Sequence, residues 1–184
     1  MRKTTTRHSF PLMMTVAFSV AAAACAQVEA EVTDAQVTQK AVTFHGIPGG
    51  QKLGETSTSQ SFTLTGDKLS WAKSLNSEVY LHEVQMEPVG NLHDLNFIHY
   101  ARIIMSDGNG SSDIPTVELI NYQRPDGAAS TSDLAVETLQ PVNVTKVWAA
   151  GKVVVTMQLA GVFPEENWAA DVTLHLAGKM SYKL

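Results

Sequence analysis

The stretch Asp107-Gly108-Asn109-Gly110-Ser111-Ser112-Asp113 sets an oxygen-bearing side chain at every second position. Glu118 stands twelfth counting from Asp107. Calcium takes about six to eight oxygen ligands in an irregular cage, so Asp107, Asn109, Ser111, Asp113 and Glu118 are a candidate calcium set. The same residue types also build tight turns, because Asp and Asn bond their own backbone and Gly accepts positive φ. A second group is His82, His93 and His99, with Glu83 and Asp94 beside two of them. Imidazole and carboxylate together can bind zinc or transfer protons. The spacing contains no H-E-x-x-H motif and no cysteine partner. His99 shares the parity of Phe97 and Ala101, which predicts an inward, hydrogen-bonded residue. No G-x-S-x-G elbow supports a serine hydrolase. Glu165 and Glu166 are neighbours, and in a strand they would point to opposite faces rather than flank one bond. They read as a solvated turn after Pro164.

The spacing at 107–118 resembles an EF-hand loop, whose ligands come from positions 1, 3, 5 and 12, with an apolar residue at position 8, here Ile114. Ser112 stands where that loop needs Gly, and Pro115 interrupts it. Both flanks read as strands, so the expectation is a calcium loop between strands. Trp71, Trp148 and Trp168 are each followed by Ala. Tryptophan either fills a core or, when exposed, stacks on a sugar or anchors a partner. Trp168, after the acidic turn, is expected to be the most exposed. Asn109-Gly-Ser and Asn143-Val-Thr match the glycosylation acceptor pattern and are read as chance matches.

The elements that must position these groups are strands. Short runs alternate apolar and polar residues and are divided by Gly, Pro, Asn, Asp and Ser. Val42 and Phe44, Phe62 and Leu64, and Val79 and Leu81 mark three such runs. Phe97 to Met105 is apolar on both faces and reads as a central strand. Val117 to Tyr122 and Leu134 to Leu139 are shorter. Lys152 to Leu159 turns Val153, Val155, Met157 and Leu159 inward, and Val172, Leu174 and Leu176 mark a last strand. Residues 67–74 and 143–150 are each expected to hold a short helical turn, and 51–61 a loop or an edge strand. About eight strands at this spacing predict an all-β fold: a two-sheet antiparallel β-sandwich, immunoglobulin-like or jelly-roll-like in architecture.

The first 26 residues set the expected location. Arg2, Lys3 and Arg7 precede a 15-residue apolar run, Phe10 to Ala24. That is short of the roughly 18–20 residues of a membrane span, and small residues close it, as in a cleaved signal peptide. Cleavage falls before Gln27, or before Cys25. Ala22-Ala23-Ala24-Cys25 resembles a bacterial lipobox with Ala in place of the usual Leu, which would make Cys25 the site of lipidation. Residues 27–35 are expected to be a polar tether and 36–184 the sandwich domain. Cys25 is the single cysteine, so the body has no thiol for a disulfide, a metal site or a nucleophile. Losing the leader moves the net charge from −5 to −8, which disfavours nucleic acid as a partner.

These features point to an exported, non-catalytic envelope or cell-surface protein. It is read as a structural or binding module for a protein or carbohydrate, with no cofactor unless calcium. It would lie in the periplasm or at the outer membrane as a lipoprotein, touching membrane only through Cys25, or be secreted. The alternative is a secreted metal-dependent hydrolase using His82, His93 and His99.

Overall fold

Strand β8, Lys152–Gly161, shows how the alternation becomes architecture. Val153, Val155, Met157 and Leu159 are buried, while Lys152 and Gln158 face solvent. In the computed structural model, which describes residues 16–19, 27–49, 54–65 and 77–183, the same rule builds two packed sheets. The first contains β1 (Val16–Ser19), β2 (Gln27–Phe44), β4 (Glu78–Val89), β7 (Leu134–Asn143) and β9 (Trp168–Lys183), in the order β1-β2-β9-β4-β7. The second contains β3 (Thr56–Thr65), β5 (Ile98–Asp107), β6 (Val117–Gln123) and β8, in the order β3-β8-β5-β6. Every pairing is antiparallel. β2 lies against β3 along one side and β7 against β6 along the other. The chain is a β-sandwich, as its alternation predicts.

The core lies between the sheets. Val172, Leu174 and Leu176 of central β9 face Ile103, Met105 and Met157 of the second sheet's central strands, all within one buried cluster. Each such side chain removed from water contributes about 1.5–3 kcal/mol, which a domain without disulfides needs. The turn expected at 143–150 is helix α1, Thr145–Ala149, which buries Val147 and Trp148. Its Thr145 hydroxyl accepts a hydrogen bond from the Val79 amide at 2.9 Å. Gly161 is fixed by crowding: a Cβ there would stand 1.9 Å from the Phe97 carbonyl oxygen.

Three expectations change. Residues 27–35 are not a tether. They form the first half of β2, paired with β9 from Gln27↔Lys183 through Ala35↔Leu176. Ala30, Val32 and Ala35 are buried there, and that burial outweighs the polar character of Glu29, Glu31 and Asp34. Trp168 is not exposed: it is 5 % exposed, against 0 % for Trp148, and is stacked on Phe44 at 4.1 Å and met edge-on by Phe97 at 5.1 Å. His99 does not keep the parity of Ala101, because the pairing of β5 with β8 slips between Ile98 and Tyr100. Residues 51–61 contain the start of β3, an edge strand. Cys25, Trp71, the turn expected at 67–74 and all of the leader except Val16–Ser19 lie outside the described residues.

Candidate functional site

Two β-bulges on the outer face of the first sheet bring four titratable side chains together. In β2 the register slips between Val32 and Ala35, and in β4 between Leu81 and Glu83. A bulge inserts an extra residue and bends the strand, so two successive side chains can share one face. Thr33 and Asp34 therefore lie outside between buried Val32 and Ala35. His82 and Glu83 likewise lie between buried Leu81 and Val84. His175 stands between them on β9, paired with Gln36 on one side and Glu83 on the other.

Within this group His175 Nδ1 lies 3.1 Å from Asp34 Oδ1. With the proton on Nδ1, His175 donates to Asp34, a hydrogen bond strengthened by the carboxylate charge. His82 Nε2 is 3.8 Å from the same Asp34 oxygen, and His175 Nε2 is 3.9 Å from Glu83 Oε1. Both Nε2 atoms are closed to solvent and have no hydrogen-bond partner. A general base must reach the proton it takes, within hydrogen-bond distance or through one water. These nitrogens face the protein's own carboxylates, so the cluster links β2, β9 and β4 across the sheet. Among the described residues, no group of three or more His, Cys, Asp or Glu is arranged to hold a metal ion.

The loop at 107–113 is arranged differently. Asp107 Oδ1 accepts the Asn109 amide and Oδ2 the Ser111 amide, both at 2.9 Å. These two N–H bonds hold the Asp107 carboxyl below the usual carboxylate range. The Asn109 side-chain amide donates to the Ala150 carbonyl at 3.0 Å, which ties the loop to the end of α1. The Asp113 amide donates to the Ser111 hydroxyl. Glu118 sits on β6, where its carboxylate takes the guanidinium of Arg102 from β5. So the expected calcium set is divided: Asp107, Asn109, Ser111 and Asp113 share one loop, and Glu118 is engaged on the sheet.

The three expected histidines do not form one group. His82 is on the first sheet, His93 is exposed in the loop after β4, and His99 is on β5 of the second sheet. The Asp94 carboxylate accepts the Asn96 amide at 3.0 Å and shapes that loop. Glu165 and Glu166 are exposed in a bend, the solvated turn expected of them.

His99 instead contributes to an open cleft of about 590 Å³ at one end of the second sheet, with Glu55, Tyr100, Gln123, Arg124 and Asp126 among its walls. The β5 slip at Ile98–Tyr100 is what sets His99 and Tyr100 beside each other as half-buried residues. Arg124 is held firmly: its amide donates to the His99 carbonyl at 2.7 Å, and Nη2 to Asn96 Oδ1 and to the Ala129 carbonyl, each at 2.9 Å. The cleft thus joins an aromatic ring, both signs of charge and a preorganised wall.

Sequence reasoning missed Asp34, His175, Arg124 and Asp126. For Asp34 a signal was present: the apolar–polar–polar–apolar run Val32-Thr33-Asp34-Ala35, like Leu81-His82-Glu83-Val84, marks a bulge within an alternating strand. No protein-family model matches the chain, and no curated protein matches it.

Proposed function

We propose that the protein is an exported, non-catalytic binding module of the cell envelope, anchored through Cys25 where that residue is lipidated. The observation that carries this reading is the cleft formed by Glu55, His99, Tyr100, Gln123, Arg124 and Asp126. Its chemistry suits a neutral or mildly charged carbohydrate. A tyrosine offers a flat apolar face for a sugar ring, and carboxylate, carboxamide and guanidinium groups meet hydroxyls. The opposing enzyme reading lacks a comparable arrangement, since His82, His93 and His99 are dispersed and the Nε2 atoms of His82 and His175 are closed to solvent.

Calorimetric titration of the purified protein with soluble envelope polysaccharide fragments tests the proposal. Binding is expected to weaken at least about tenfold in Tyr100→Ala and in Asp126→Ala, with the melting temperature unchanged. Binding unaffected by both changes would move the ligand elsewhere. Turnover of the fragments during titration would overturn the non-catalytic reading.

A further inference from the structure

Strand β3 differs from the edge strands β6 and β7 in carrying, among the described residues, no charge, proline or bulge against pairing. Edge strands carry unpaired backbone groups, and proteins block them with charge, proline, bulges or short length. β6 is seven residues long, carries Glu118 and is bulged where Ile103↔Ile120 passes to Ile104↔Glu118. β7 contains Glu137 and Pro141, and its register against β4 jumps from Val142 to Glu137. β3 runs ten residues, Thr56-Ser-Thr-Ser-Gln-Ser-Phe-Thr-Leu-Thr65, with no charge and no proline. It pairs with β8 residue for residue without a slip, from Thr56↔Gly161 to Thr65↔Lys152. Among the described residues no strand is hydrogen-bonded to its other side; β2 of the first sheet packs beside it without pairing. Gln60 Nε2 donates to the Ser61 carbonyl at 3.3 Å.

We infer that β3 pairs antiparallel with β3 of a second copy of this chain, joining two four-stranded sheets into one of eight. The residue pattern is self-complementary. A two-fold axis at Gln60 sets Ser59 opposite Ser61 of the other copy and Ser57 opposite Thr63, on the outer face where all four are exposed. Hydroxyl pairs of this kind already hold the sheet together: Ser61 Oγ and Thr156 Oγ1 lie 2.8 Å apart across β3 and β8. On the inner face Gln60 meets itself, and its amide can both donate and accept. Thr58 meets half-buried Phe62, whose ring gains cover. No charge is buried, so no desolvation of ions opposes the contact. A foreign strand of ordinary composition would bring charges to this row without finding partners for them. An interface made by one strand from each copy is small, so the dimer is weak and depends on concentration.

The test needs no ligand: light scattering of the purified protein across the low to high micromolar range. The wild type is expected to move from monomer to dimer. Ser59→Lys with Ser61→Lys places like charges directly opposite each other twice and is expected to weaken dimerisation at least about tenfold. Ser59→Glu with Ser61→Glu does the same alone, and an equimolar mixture of the two variants recovers a heterodimer. Hydrogen exchange of the wild type adds a readout free of mutation: amides within 57–63 exchange more slowly as concentration rises. A monomer at every concentration overturns the inference, as does a lysine variant that dimerises like the wild type or exchange at 57–63 that ignores concentration.

Discussion

Asp107 and Asp34 are carboxylates in similar surroundings, each at a break in strand regularity, yet they meet different partners. Asp107 is satisfied by two amides two and four residues further along the chain. Asp34 accepts a bond from Gln36, two residues on, at Oδ2, but its Oδ1 faces His175, which is 141 residues away, and His82 on a third strand. A local partner is supplied by the turn itself, so the 107–113 loop can close whatever the rest of the sandwich does. A distant partner is supplied only when β2, β9 and β4 are paired in register. The loop therefore reports local geometry, and the outer-face cluster reports the integrity of the first sheet. This difference also separates the regions chemically. The loop's carboxylate is occupied by backbone donors, whereas the cluster keeps two imidazole nitrogens without hydrogen-bond partners.

The largest expected effect that sharpens this comparison is in the cluster. His175→Ala removes the hydrogen bond to Asp34 and the side chain that spans three strands. A loss of about 1–2 kcal/mol is expected, at the modest end because Asp34 is half exposed and water replaces part of the bond. For a chain of this size that lowers the melting temperature by roughly 2–8 °C, measurable by calorimetry. An unshifted melt would mean that the cluster does not tie the strands.

A smaller, local effect is expected from the loop. Asp107→Ala should leave the global melt almost unchanged while the amides of Asn109 and Ser111 exchange markedly faster. The same contrast has a pH form. Because N–H bonds lower the folded-state pKa of Asp107, its ordering of the loop is fully present above the ordinary aspartate value of about 3.9 and is lost as pH falls through the lower folded value. Carboxyl chemical shifts should give a midpoint below that of a model aspartate; a midpoint at or above it would break the assignment.

The smallest expected effect concerns calcium. The Asp107 oxygens hold amides, and Glu118 holds Arg102, so melts with calcium and with chelator are expected to coincide. A calcium-dependent rise of several degrees would show that the cation displaces these bonds, and would make the loop rather than the cluster the more reactive region.

Much of the fold was legible because alternation is a property of consecutive residues. Val153 to Leu159 and Val172 to Leu176 announce their buried faces directly, and the 143–150 turn is marked by the residues that form it. Residues 27–35 misled because Glu29, Glu31 and Asp34 suggest a polar tether, while Ala30, Val32 and Ala35 supply an inward row that matters only once β9 lies beside it. Trp168 misled for the same reason: its cover comes from Phe44 and Phe97, not from its sequence neighbours. Of the site, His82 and His99 drew notice as residue types, but the slips at Leu81–Glu83 and Ile98–Tyr100 decided what each would face.

By itself, the sequence determined the sandwich class, most inward rows, the turn chemistry at 107–113 and the uncharged character of β3. These depend on side-chain polarity and on backbone geometry within a few residues. Only the tertiary structure decided that β2 pairs with β9, that Asp34 meets His175, that Arg124 walls the cleft and that β3 is an edge. Alternation tells each strand which face to bury and leaves its neighbours open, and a slip of one residue at a bulge is enough to move a side chain from one face to the other.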